Sequence, residues 1–254
     1  MLKSLLWDVD GTLAETERHG HLKAFNLAFE ALRLPWRWSP EYYGELLAVA
    51  GGRERLLHDM QRQGRDPAGL EERQALAQQV HLLKNRIYAS IVATGGLPLR
   101  EGVRELLQDC AQAGLRVGIV TTTSRSNVDA LLQAHLGKAW EEQFATVISA
   151  DEAPRKKPHP QAYLAALHAL QLPPHEAVAI EDAPAGLAAA QAAAIPVIVT
   201  RSYYFPSTEA PGALAVGPSL GRAAGWNPAA EARALRIDLE QITRWFERDK
   251  AQCA

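Results

Sequence analysis

The sequence predicts an α/β fold, a doubly wound parallel-sheet core with a small helical domain inserted after its first strand. Three observations predict it. From residue 103 to residue 200, short apolar runs alternate with amphipathic helical stretches, the pattern of a parallel sheet covered on both faces. A lone apolar run near the N-terminus is separated from that alternation by a long stretch with helical periodicity only. Polar residues rich in carboxylates follow the apolar runs directly.

Lys3 to Val9 reads as a buried strand running into Asp8, Asp10, Gly11 and Thr12, a polar break. From His21 to Leu32 the apolar residues Leu22, Phe25, Ala28, Phe29 and Leu32 recur at helical spacing, and helix-like sequence continues to about Ile91. Gly95, Gly96 and Pro98 form a hinge. The core is therefore expected over residues 1–14 and 98–254, and the helical insertion over 15–97. Val103, Leu106, Leu107 and Cys110 make the next helix face, and Leu115 to Thr121 a buried strand. Ser126 and Asp129 resemble a capping box ahead of a face of Val128, Leu131, Leu132 and His135. Phe144 to Ser149 is a strand, Gln161 to Leu170 a helix, and Ala177 to Ile180 a strand. Pro184 to Ala194 is an alanine-rich helix suited to close packing on a sheet, and Ile195 to Thr200 the last expected strand. Beyond Gly212, Gly217, Gly221 and Gly225, an amphipathic segment with Leu239, Ile242 and Phe246 is expected to cover a sheet edge.

Composition narrows the function. With 47% hydrophobic and 22% charged residues the chain is of the folded, globular kind. Its 27 basic and 29 acidic residues leave a net charge of -2, which gives no field for nucleic acid or an anionic membrane. The run Arg155, Lys156, Lys157 lacks interleaved aromatics; its first two members read as a solvated loop. Only Cys110 and Cys253 are present, which argues against a disulfide framework and for a reducing compartment. No apolar run has the length of a membrane span and no signal-peptide pattern occurs, so a cytoplasmic protein is expected.

In an open α/β sheet, ligands bind beyond the carboxyl ends of the strands. Four places qualify: Asp8 with Asp10, Thr121, Lys157 in the loop after Ser149, and Glu181 with Asp182. Carboxylates gathered there repel by roughly 4 kcal/mol per pair at about 4 Å and an effective dielectric near 20. They need a cation. Hard oxygen donors without a histidine or cysteine partner favour Mg2+, which keeps room for a substrate phosphate. The residue types suit phosphoryl transfer: Asp8 attacks phosphorus, Asp10 protonates the leaving oxygen and then activates water, and Lys157 and Thr121 hold the phosphoryl oxygens. Asp182 completes the metal site.

Asp8-Val9-Asp10-Gly11-Thr12-Leu13 resembles the first motif of the haloacid dehalogenase (HAD) superfamily, whose cores are Rossmann-like. Thr121, Lys157 before Pro158, and Glu181-Asp182 before Gly186 resemble its second, third and fourth motifs, in order, over nearly the whole chain. The resemblance implies a metal held by the side chains of Asp8 and Asp182 and the backbone carbonyl of Asp10, with Glu181 behind them. Trp7 stands where the family usually has phenylalanine. The insertion is similar to the family's small cap, which closes over the site and selects the substrate.

Glu15-Thr16-Glu17 and His21 with Ala24-Phe25-Asn26, Thr121-Thr122-Thr123-Ser124 with Asn127, and Thr200-Arg201-Ser202 look like the CbbY-like branch. That branch implies a sugar-phosphate phosphatase acting on xylulose 1,5-bisphosphate. A monomer with a small-molecule partner only is expected. A bisphosphate needs a second anion site, and Gly52, Arg53 and Arg55 are the candidates, ahead of Lys84 and Arg201. Glu17 and His21, at i and i+4, are placed to meet substrate hydroxyls together, with Thr122 and Asn127 beside them. The alternatives are a β-phosphoglucomutase-like mutase, which returns the phosphate to sugar, a phosphatase of broad specificity, and a non-catalytic binding module. The last predicts loss of Asp8, Asp10, Lys157 or Asp182, and all four are present.

Overall fold

Strands β1 (Ser4–Trp7), β2 (Arg116–Val120), β3 (Thr146–Ile148), β4 (Ala177–Glu181), β5 (Val197–Thr200) and β6 (Ala215–Gly217) form one all-parallel sheet. Their spatial order is β3-β2-β1-β4-β5-β6. The structure is a computed structural model that describes residues 1–65 and 69–253. Residues 66–68 of the expected insertion and the side chain of Cys253 lie outside the described residues.

Between β1 and β2 run a π-helical turn (Glu17–Leu22) and helices α1 (Lys23–Ala31), α2 (Pro40–Leu46), α3 (Gly52–Arg62), α4 (Leu70–Ala93) and α5 (Val103–Gln112). After β2 come α6 (Arg125–Leu136), α7 (Gln161–Leu170), α8 (Pro184–Ala192) and the C-terminal α9 (Leu239–Cys253). Strand periodicity sorts the sheet's side chains onto two faces. Leu5, Trp7, Val117, Ile119, Val178, Ile180 and Ile198 join residues of α5, α6 and α9 in one apolar cluster. Leu6, Val120, Ala177, Ala179, Val197 and Val199 join α7 and α8 in the other. The expected α/β alternation is thus the observed one.

The helices from α1 to α4 have a core of their own, built on Phe25, Phe29, Trp38, Tyr43, Leu56, Met60 and Val80. Its polar supports are buried or half-buried. Asn26 brackets the Trp38 backbone with bonds of 2.9 and 2.8 Å, and Asp59 accepts from Trp38 Nε1 at 2.9 Å and Tyr42 Oη at 2.5 Å. Helix α2 starts at Ser39, whose Oγ accepts from the Tyr42 amide, with Pro40 in the first turn.

Three sequence expectations change here. Helix α6 begins at Ser124, and no side chain of a capping box holds it; Asp129 bonds Arg125 instead, and Asp151 accepts from the Arg125 amide. Strand β6 was not expected, because its three residues end on Gly217 and carry too little apolar pattern. Helix α9 places Ile242, Trp245 and Phe246 in a cluster with Trp226 and Cys110. The outer edge of β6 is met by Asn227, through two backbone bonds of 2.8 Å with Val216.

Register carries the sheet's consequence for function. Trp7 stands opposite Ile119 on one side and Ile180 on the other. The residues that follow, Asp8, Val120 and Glu181, therefore leave the central strands at one level, at the carboxyl end where ligands bind.

Candidate active site

Asp8 is buried at that level, and Lys157 Nζ donates to Asp8 Oδ1 at 2.7 Å, to Glu181 Oε1 at 2.7 Å and to the Val120 carbonyl at 2.8 Å. Tyr163 donates to the same Glu181 oxygen. Oxygens of Asp8, Glu181 and Asp182 all lie within 4.8 Å of one another. One ammonium thus bonds two of three clustered buried carboxylates. Burial pushes the Asp8 carboxyl up to about 8, against the pull of Lys157, with Glu181 and Asp10 adding to the rise. Burial and Asp8 push Asp182 well above the carboxylate range. Lys157 is raised too: Asp8 and Glu181 outweigh its burial. All three shifts have one cause, an excess of negative charge out of water. A divalent cation relieves that excess, and the all-oxygen donor set fits Mg2+.

Two glycines give the carboxylates room. Gly11 has φ +83°, and a Cβ there would strike the Asp182 carboxylate; a Cβ at Gly186 would strike that of Glu181. Trp7 packs fully buried behind the site.

Asp10 faces elsewhere. Its Oδ1 accepts from Thr16 Oγ1 at 2.5 Å and meets His21 Nε2 at 3.0 Å. Burial would raise its carboxyl, but His21, Thr16 and Lys84 outweigh burial and hold it down at about 2. Thr16 precedes the π-helical turn and His21 lies within it, and its wider winding differs from the α-helical i, i+4 geometry assumed from sequence. His21 stacks on Tyr88 with centroids 4.4 Å apart, and Glu17 accepts from Tyr43 Oη at 2.5 Å with Arg55 at 3.7 Å. Both residues still line the cleft.

A cavity of about 620 Å³ holds Asp8, Asp10, Gly11, Lys157, Glu181 and Asp182 in its wall. A second, of about 340 Å³, is lined by Arg53, His81, Lys84, Asn127 and Lys156 among others. Asp10, Glu17, Arg55 and Thr122 line both. Gly52 also lines the second cavity. Thr121 is buried at the end of β2, its Oγ1 accepting from the Thr123 amide at 3.2 Å. Arg55 is occupied by Tyr43 Oη at 2.7 Å and the Val49 carbonyl at 3.3 Å. Asn127 donates to Asn85 at 3.3 Å and Thr123 at 3.1 Å, and its Oδ1 is buried without a partner.

A sequence model of the haloacid dehalogenase-like hydrolases matches residues 2–194. The chain belongs to that family. It is 45% identical over 221 residues to Protein CbbY (plasmid) of Cupriavidus necator, covering 87% of this chain and 86% of the relative. The crystal structure of CbbY from Rhodobacter sphaeroides in complex with phosphate superposes with TM-score 0.80 at 38% identity, over 89% of this chain and 97% of that one. An Asp-to-Asn variant of the same protein, solved in complex with xylulose-(1,5)bisphosphate, gives the same figures. Within the HAD hydrolases this chain is therefore of the CbbY-like branch, and it is a phosphatase.

The sequence missed several residues of the site. Lys156 is no free loop cation: it pairs with Glu54 at 2.6 Å and lines the second cavity. His81, held low at about 4 by burial and Lys84, lines it as well. Arg201 does not line either cavity; its carbonyl accepts from Arg100. No spacing signal could have joined Lys156 to Glu54, because 102 residues separate them.

Proposed function

We propose that the chain is a Mg2+-dependent phosphatase that hydrolyses xylulose 1,5-bisphosphate to xylulose 5-phosphate through an aspartyl phosphate on Asp8. At the coarser level it is a HAD sugar-phosphate phosphatase. The observation that carries the finer reading is a pair of cavities that share a wall, one holding the carboxylate cluster and the other bringing Arg53, Lys84 and Lys156 together. The bisphosphate bound by the similar Rhodobacter protein supports it.

Asp8, Asp182 and the Asp10 carbonyl would hold the cation, which when bound neutralises the reacting phosphate and the carboxylates around it. Asp8 attacks phosphorus; burial raises its carboxyl against the pull of Lys157, so its ionised form would rest on the bound cation together with Lys157, which faces the phosphoryl oxygens. Glu181 fixes Lys157, and Tyr163 fixes Glu181. Asp10 is oriented by Thr16 and His21. Its carboxylate form suits the second step, in which it takes a proton from the attacking water. The first step needs its acid form, which a dianionic phosphate beside it favours. Thr122, which lines both cavities, and Thr121, buried beside it, would hold the phosphoryl oxygens.

The second phosphate belongs to the wall of Arg53, Lys84 and Lys156, beside Gly52, with Arg55 bracing Glu17 rather than meeting the phosphate directly. Glu17, His21 and Asn127 line the passage between the phosphates and face the sugar hydroxyls. Residues 15–97 act as the cap and 1–14 with 98–254 as the core, in a cytoplasmic monomer that needs no nucleic acid or membrane. Among the described residues no helix is long and apolar enough to cross a membrane.

The test is Mg2+-dependent phosphate release from xylulose 1,5-bisphosphate, ribulose 1,5-bisphosphate, fructose 1,6-bisphosphate and β-glucose 1-phosphate. The expected result is the highest kcat/KM with xylulose 1,5-bisphosphate, lowered at least tenfold by Arg53→Ala chiefly through KM. Comparable values across the panel, or isomerisation of β-glucose 1-phosphate without release, would discard the substrate while keeping the aspartyl-phosphate chemistry.

A further inference from the structure

Arg100 lies where the chain returns from the helical insertion to the core, and its guanidinium is buried among carbonyl oxygens. Nη1 donates to the Gly11 carbonyl, to the Thr200 carbonyl at 3.3 Å and to Thr200 Oγ1 at 3.0 Å. Nη2 donates to the carbonyls of Arg201 at 2.5 Å and Pro218 at 3.1 Å, and Nε faces Glu15 Oε1 at 3.5 Å. The Arg100 amide adds a bond to the Leu13 carbonyl at 2.8 Å. One side chain thus joins the loops that follow β1, β5 and β6 to the first residues of the insertion.

A buried guanidinium costs desolvation, and here its fork is filled mainly by neutral carbonyls from separate loops. Such a group holds those loops in register as a bound cation would. The Gly11 peptide is the telling partner. It follows Asp10 directly, and its α-carbon lies so close to Asp182 that a Cβ there would strike the carboxylate. The height of the Gly11 peptide therefore sets the spacing between the Asp8–Asp10 loop and Asp182. Lysine could not replace this fork, since a point ammonium on a flexible stem cannot span all these carbonyls at once.

We infer that Arg100 is a positioning residue for phosphoryl transfer: its guanidinium fixes the Gly11 peptide, and with it Asp8 and Asp10, against Asp182 and the ends of β5 and β6. This rests on Asp8 as nucleophile and on no particular sugar substrate. It makes Arg100 act on the chemical step rather than on substrate affinity.

The test uses the full chain with p-nitrophenyl phosphate and Mg2+, at a temperature where circular dichroism shows each variant folded. Arg100→Lys is expected to lower kcat by roughly tenfold or more with KM changed less than about threefold. Thr200→Val removes one side-chain acceptor at near-constant shape, and is expected to lower kcat by roughly two- to fivefold at unchanged KM. Should Arg100→Lys not fold, Thr200→Val decides alone. Unchanged kcat in either folded variant, or a rise in KM without loss of kcat, would overturn the inference. Turnover retained by Asp8→Asn would instead remove the nucleophile reading, so the two failures are distinct.

Discussion

Lys84 is buried with Asn85 Oδ1 at 3.3 Å and the rings of Phe25 and Tyr88 at 5.2 and 5.4 Å from its Nζ. Burial pushes its ammonium down to about 8, with Asp10 and Glu17 pulling the other way. A phosphate in the cavity prefers the charged form, which is lost as the pH rises through about 8. KM for a bisphosphate should therefore climb above that pH, and Lys84→Met should give a KM that is high and flat. The folded pKa lies below the ordinary lysine value of 10.5, so the folded chain binds fewer protons between the two. Lys84 accordingly makes stability rise with pH across that window, and urea midpoints at pH 8 and 10, wild type against Lys84→Met, check the sign. Gly186 is a second residue with a sharp expectation. A Cβ there meets the Glu181 carboxylate that holds Lys157, so Gly186→Ala should cost kcat at least tenfold while the chain stays folded. Asp8, Lys157 and Asp182 were legible in the sequence because each follows or faces a strand end. The bond between His21 and Asp10 was not, because periodicity placed His21 in the crevice without naming its partner.

At the scale of elements, the helical insertion depends on its own aromatic core. Phe29 is fully buried against Phe25, Trp36 and Trp38, with centroids 6.1, 5.5 and 5.0 Å away. Phe29→Ala should lower the unfolding free energy by about 3–5 kcal/mol, read from urea titration. Apolar period revealed β1, β2, β4 and β5, whose side chains split cleanly between two covered faces. It did not reveal β6, which is held by pairing with β5 and Asn227 rather than by its own pattern. The start of α6 was misplaced by two residues for a related reason: Asp151, from the loop after β3, accepts from the Arg125 amide, a contact no local motif encodes. Local propensity announces elements, while their ends answer to distant partners.

For the molecule as a whole, a balanced net charge of -2 conceals a strongly acidic centre. Mg2+ should bind the folded chain and not the unfolded one, so millimolar Mg2+ should raise the Tm. Asp182→Asn should raise the metal-free Tm and abolish the Mg2+ shift, because it removes one of the repelling carboxylates. A differential scanning experiment with and without EDTA reads both. Residues far apart in the chain build this centre. Lys157 is 149 residues from Asp8 and Arg100 is 89 from Gly11, which is why the motifs could be read singly but their wiring only in three dimensions. The most direct test of the chemistry is rapid acid quench during turnover of a substrate labelled with 32P in the transferred phosphate. A hydroxylamine-labile label on the peptide containing Asp8, absent from Asp8→Asn, is predicted. Label on another residue, or undiminished turnover by Asp8→Asn, would contradict Asp8 as the nucleophile.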